Sequence, residues 1–350
     1  MKILYLYSEI MGYSMATIKE LIKSGADVHV VHWDKKKLSK YRVTKESGVH
    51  FYPRSKYTVK DLLALINQIN PDITVISGWM DKGYLVGAMK LRFKKKIVAV
   101  CFDDIWFNSL KQNFASFFGH IGIFSIFFSH AWVSGFPQFE YATRLGFKKK
   151  NIIYDLYSAD TELFSKYFLK IKNSKKKKYP HRFIFIGRFE IIKGTDILLK
   201  AWESLGIDKK DWELCFIGDG KLKAILKDTK NIIVKNFMQP NDLAQELTKE
   251  GGCMILPSLK EPWGVVVHEC AAAGLPIIVS DNVGSASYFV INGYNGFSFS
   301  AGNVNSLKEK MLKIIKMKNE EIFLLANNSF LLSKKISPNT SAKNLLSLVR

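Results

Sequence analysis

Short apolar runs recur along this chain, each followed by a polar or glycine-bearing loop and then a helix-length segment. Lys2–Tyr7 is the first run, and the loop Ser8–Ser14, containing Gly12, leads into a helical pattern through Lys23. Asp27–Trp33, Ile73–Ser77 and Ile97–Cys101 repeat the signal of a short strand buried on both faces. Strands alternating with helices predict an α/β domain with a parallel sheet and crossover helices. The pattern pauses at residues 173–180, NSKKKKYP, a polar, charged, proline-ended stretch that reads as a linker. It restarts with Phe183–Ile186, Glu213–Ile217, Ile232–Val234, Cys253–Leu256 and Pro276–Val279, a second doubly wound unit. The expected division is 1–172, linker 173–180, 181–333, and a C-terminal helix within 334–350, with Ser337 as its cap and Pro338 in its first turn.

Phe114–Trp132 stands apart, apolar nearly all round and rich in Phe. Three readings are open: a buried core helix, the first expectation, a helix lying on a membrane surface, or a spanning helix. Gly119, His120, Gly122, Ser125 and Ser129 interrupt the run and count against spanning.

A chain of 350 residues agrees with two domains, and 47% hydrophobic content with sizeable cores. Its net charge of +21 gathers in runs such as Lys35–Lys37, Lys94–Lys96, Lys148–Lys150 and Lys175–Lys178. The excess points to an anionic partner: nucleic acid, an acidic membrane surface, or a phosphorylated substrate. No helix-turn-helix, zinc or RNA-binding signature accompanies it, which disfavours nucleic acid. Cys101, Cys215, Cys253 and Cys270 are widely spaced and form no C-x-x-C, as expected of buried thiols in a reducing cytosol. The opening MKILYLYSEI has too short an apolar run for a secretory signal, so the expected location is cytoplasmic.

Candidate chemistry lies in the second half. After the strand at Ile186, Gly187 allows backbone approach to a ligand, and the cations Arg188 and Lys193 follow, suited to a diphosphate. An arginine after a strand also serves often as a surface ion-pair residue. Leu256-Pro257-Ser258 ends another strand, and Pro262 is placed to open a helix stopped at Gly274. Its first amides, at Trp263, Gly264 and Val265, then face the carboxyl end of the sheet, where open α/β folds bind ligands. Glu261 stands before that helix, able to accept from sugar hydroxyls or simply to cap it. Glu269 lies about two turns on, among apolar neighbours where an unpaired carboxylate is costly, so it needs a ligand or a partner.

These motifs resemble those of family 4 retaining glycosyltransferases of the GT-B type. G-R-x-x-x-x-K-G is matched by Gly187–Gly194, G-D-G by Gly218–Gly220, E-P-x-G-x-x-x-x-E by Glu261–Glu269, A-x-G-x-P by Ala272–Pro276, and D-T-E-x-F by Asp160–Phe164. The resemblance implies two Rossmann-like domains facing a central cleft, with the last helix crossing back to the first domain. It also implies transfer of a sugar from a UDP- or GDP-type donor to a glycan or lipid-linked hydroxyl, with retention and without metal or other cofactor. Arg188 and Lys193 are implied to hold the pyrophosphate, Glu261 the sugar and Glu269 the ribose, with Gly12 on the donor side of the first domain. Where the family commonly has a histidine, this chain has Asp103 and Asp104, candidates for the acceptor or sugar side. A turn or capping role is the plainer reading of Asp104. No D-x-D is present to hold a divalent ion. Cell-surface polysaccharide or glycolipid synthesis at the inner membrane face is the expected setting. An epimerase or phosphorylase on a similar scaffold, or a basic nucleic-acid-binding protein, are the alternatives.

Overall fold

A computed structural model describes residues 1–35, 40–43, 46–209, 211–226 and 231–349; Lys36, Lys37 and Arg350 of the segments named above lie outside them. The chain divides into two compact units, Met1–Ser158 with Pro338–Arg350, and Ala159–Ser337.

The first unit is built on a seven-stranded parallel sheet: β1 (Lys2–Tyr7), β2 (Asp27–His32), β3 (Val49–Pro53), β4 (Ile73–Ser77), β5 (Ile97–Phe102), β6 (His130–Val133) and β7 (Ile152–Ile153), in the order β3-β2-β1-β4-β5-β6-β7. Alternation along β1 sends Leu4 and Leu6 into one buried cluster and Ile3, Tyr5 and Tyr7 into another, so the sheet is covered on both faces. The helix Pro338–Leu346 packs on the helix Gly12–Lys23, with Ala342 and Leu345 buried in the second cluster.

The second unit repeats the plan with six parallel strands: β8 (Arg182–Arg188), β9 (Glu213–Asp219), β10 (Ile232–Lys235), β11 (Cys253–Leu256), β12 (Ile277–Ser280) and β13 (Gly296–Phe299), in the order β10-β9-β8-β11-β12-β13. Both units therefore have the doubly wound order, which reverses direction between β1 and β4 in one and between β8 and β11 in the other. The architecture is GT-B, with two Rossmann-like domains.

Two sequence expectations are corrected. Residues 173–180 are not a linker, because helix Thr161–Lys177 runs through most of them and the division falls at Ser158–Ala159. The charge of the run hides an inward-facing stripe. Lys175 is buried with Nζ 2.8 Å from the Gly251 carbonyl, and the Tyr179 hydroxyl donates to Gly252 or Gly274, at 3.1 and 3.2 Å. Nor is Phe114–Trp132 one buried helix. It forms the helices Leu110–His120 and Ile123–Phe127 and then β6, with Leu110 79%, Phe114 65% and Phe117 63% exposed. Gly122, left-handed at φ +87°, separates the helices. Among the described residues no helix is long and apolar enough to cross a membrane.

Candidate active site

The reversal point of the second sheet gathers most of the candidate residues. β8 ends at Arg188, and the turn Ile191–Lys193 leads into helix Thr195–Ser204 through Gly194. Gly194 has φ +69°, and a Cβ there would meet the Pro257 carbonyl oxygen at 2.0 Å. That contact, with the Leu259 amide donating to the Ile192 carbonyl at 2.9 Å, joins the loop after β8 to the loop after β11. Lys193 is thereby set against Glu261, Nζ to Oε2 at 2.5 Å, with Ser258 Oγ donating to the same oxygen at 3.3 Å. Both members of the ion pair are largely buried. Arg188 projects outward, 62% exposed, and meets Glu190 at 3.4 Å. Gly187, beside it, is half-buried.

The sequence reading placed the helix start at Pro262, with Glu261 just before it and Glu269 about two turns on. The structure moves it. The helix is Val265–Ala272, because Gly264 at φ +86° is left-handed and ends the preceding loop. Glu261 lies instead in an extended segment bridged to Val283, accepting from the Gly284 amide at 3.0 Å and donating its own amide to Asn282 at 3.2 Å. Trp263 is also reassigned: its ring is buried against Tyr288, and its carbonyl accepts from the Ser285 amide at 2.9 Å. Ser285 further donates its hydroxyl to the Gly264 carbonyl. Val265 opens the helix at the carboxyl end of β11, where the dipole favours an anion.

Glu269 sits in the middle of that helix. Its carboxyl makes no hydrogen bond among the described residues, and burial, followed by the neighbouring Asp160 carboxylate, raises its pKa to about 7. Asp160 caps helix Thr161–Lys177 by accepting from the Leu163 amide at 3.0 Å. His268, the next residue back, is structural. Nδ1 accepts from the Ala159 amide, Nε2 donates to the Ser333 carbonyl, and burial lowers its pKa to about 4.

In the first unit, Gly12 begins the helix after β1, beside the sheet's own reversal point, where the Ser8 amide donates to Ser77 Oγ at 2.8 Å. Asp103 and Asp104 follow β5. The Asp103 carbonyl accepts from Gln138, and Asp104 is exposed. Asp104 caps no helix, since the next one, Leu110–His120, is capped by Ser109 with Gln112. The sequence reading gave no role to Ser258, whose hydroxyl reaches Glu261 three residues on, or to Ser285 and Asp160, whose partners Gly264 and Glu269 lie farther away in the chain.

Residues 168–323 match the family model of glycosyl transferases group 1. That match covers most of the second unit. An uncharacterized glycosyltransferase of Methanocaldococcus jannaschii is 34% identical over 163 residues, 44% of this chain and 43% of that protein. The chain thus spans less than half the length of the curated relatives it matches. Among solved structures, HepE of Anabaena in complex with UDP superimposes with a TM-score of 0.73 over 100% of this chain and 99% of that one, at 16% identity. WaaG, a glycosyltransferase involved in lipopolysaccharide biosynthesis, has a TM-score of 0.69 at 13% identity, covering 100% and 99%. At such identities these neighbours establish the fold. The matched residues include Arg188, Lys193, Glu261 and Glu269.

Proposed function

We propose that this protein is a retaining glycosyltransferase that moves a sugar from a nucleoside diphosphate sugar to a hydroxyl of a glycan or lipid-linked acceptor. The observation that carries the reading is the Lys193–Glu261 pair, held at 2.5 Å at the sheet's reversal point beside the helix that opens at Val265. A diphosphate placed there meets Lys193, the exposed Arg188 fork and a helix N-terminus, which stabilise the charge that develops as it leaves. Those groups supply the stabilisation that a divalent ion provides elsewhere, so the reaction needs no metal. Glu261, oriented by Lys193 and Ser258, accepts from hydroxyls of the transferred sugar. Glu269 accepts from the ribose diol. The acceptor oxygen bonds to the anomeric carbon as the bond to the leaving phosphate oxygen breaks, and the acceptor proton passes to that phosphate. Gly12 on the donor side, and Asp103 and Asp104 on the acceptor side, complete the reading in the first unit.

The exposed apolar face of Leu110, Phe114 and Phe117 supports an acceptor presented at a membrane surface. Gly119 of the same helix abuts the Leu145 backbone, and Phe124 of the next helix lies 6.3 Å from Phe147, so the helix pair packs against the segment that leads into the run Lys148–Lys150. Apolar insertion beside lysines suits an anionic bilayer. Four buried free cysteines fit a cytoplasmic setting, peripheral to the inner membrane face.

The test is a thermal-shift and product screen with UDP-, GDP- and ADP-sugars. UDP comes first because the HepE structure holds it. A stabilising nucleotide, acceptor-dependent turnover with the anomeric configuration kept, and activity unchanged by EDTA are expected. Conversion of donor without acceptor would indicate an epimerase. No nucleotide-sugar bound, with Glu261→Ala inconsequential, overturns the proposal.

A further inference from the structure

A second cluster of chemistry-bearing side chains lies in the first unit, at the amino ends of edge strand β3 and its neighbour β2, opposite the carboxyl ends that present Gly12 and Asp103. β2 and β3 pair in parallel with His29 directly across from His50. The two-residue period of a strand places Asp27 on the same face as His29. Asp27 Oδ2 lies 3.3 Å from His29 Nε2, and Oδ1 lies 3.2 Å from His50 Nε2. One ligand atom from each residue falls within 4.8 Å of the other two. Around a tetrahedral ion with bonds of about 2.0–2.2 Å, donor atoms stand about 3.4 Å apart, so little movement separates this arrangement from a coordinated one.

The surroundings favour a ligand set over a simple ion pair. The two imidazoles are stacked, centroids 4.6 Å apart at 19°, and one carboxylate balances at most one protonated ring. A divalent ion takes both rings neutral and the carboxylate charged. Tyr52, two residues along β3 from His50, places its hydroxyl 3.1 Å from His29 Nδ1, which leaves Nε2 to face the cluster. That Nε2 is buried and, although near Asp27, has no hydrogen-bond geometry with it or with any described residue. Lys2, opposite Asp27 on β1, is the competing cation.

We propose that Asp27, His29 and His50 bind a divalent first-row cation, zinc foremost, with an open position for water. The donor set of two imidazoles and one carboxylate suits zinc, nickel and copper, and excludes the oxygen-only preference of magnesium and calcium. The ion clips edge strand β3 to β2, a stabilising role distant from the sheet's carboxyl end.

Tag-free full-length protein, dialysed against zinc and analysed for bound metal, tests this, with cobalt as a spectroscopic probe of coordination number. One zinc per chain and a zinc-dependent rise in melting temperature are expected. His50→Ala changes an exposed side chain and Asp27→Asn is nearly isosteric, so both should fold. Each is expected to weaken zinc binding by at least about 10–100-fold and to abolish the thermal shift. Equal zinc binding by wild type and both variants, or a six-coordinate cobalt spectrum unchanged in them, overturns the proposal.

Discussion

Glu269 offers the sharpest test, because the same carboxyl is costly without ligand and useful with it. Its pKa is raised from 4.5 to about 7, by burial first and Asp160 second. A shift of that size corresponds to about 3 kcal/mol at about 1.4 kcal/mol per unit, an upper bound because the side chain keeps some surface in contact with water. The sign follows from linkage. Between pH 4.5 and 7 the folded state holds a proton that the unfolded state has released, so this group's contribution is full below 4.5 and is lost as pH rises to about 7. Glu269→Gln removes the titration. In melts of the unliganded protein, wild type should lose stability relative to the variant across that window and be the less stable of the two at pH 8. For a unit of this size each kcal/mol corresponds to about 2–4 °C. With UDP the gap should narrow or close, since a carboxylate accepting ribose hydroxyls contributes about 1.5–3 kcal/mol, or about 10–100-fold in affinity. Wild-type UDP affinity should rise from pH 6 to 8 with proton release, measured by calorimetry in buffers of different ionisation enthalpy. Parallel stability curves together with equal UDP affinity would refute both the electrostatic reasoning and the ribose assignment.

Glu261→Gln should leave the melting temperature within a few degrees but lower donor-dependent turnover by about 10²–10³, read from initial rates. A double-mutant cycle with Lys193→Met should give strongly non-additive losses, because the two side chains share one contact. Gly194→Ala forces a Cβ to 2.0 Å from the Pro257 carbonyl oxygen in a left-handed backbone, and should cost more than about 1–2 kcal/mol in chemical denaturation while displacing Lys193. Phe114→Ser with Phe117→Ser should abolish sedimentation with anionic vesicles but leave turnover of a water-soluble acceptor unchanged.

Much of the fold was legible in the chain. The strands Lys2–Tyr7, Ile73–Ser77 and Cys253–Leu256 appear as read, because strands buried on both faces are uninterrupted apolar runs. Val49–Pro53, His130–Val133, Ile152–Ile153 and Gly296–Phe299 were not recognised. Two of them carry His50 or His130 in place of apolar residues, one is only two residues long, and one begins with glycine. Residues 173–180 misled because composition masks periodicity: a helix can bury one lysine of a run against the end of another helix.

The sequence by itself determined the doubly wound units and the donor motif, since strand periodicity, glycine placement and charge spacing are local properties. Tertiary structure decided which of those residues meet. Lys193 reaches Glu261 across 68 positions of chain because β8 and β11 are neighbours in the sheet, and parallel order is fixed by packing between distant segments. The same physics set the start of the helix at Val265, brought Asp160 close enough to shift the titration of Glu269, and turned the Phe-rich run outward.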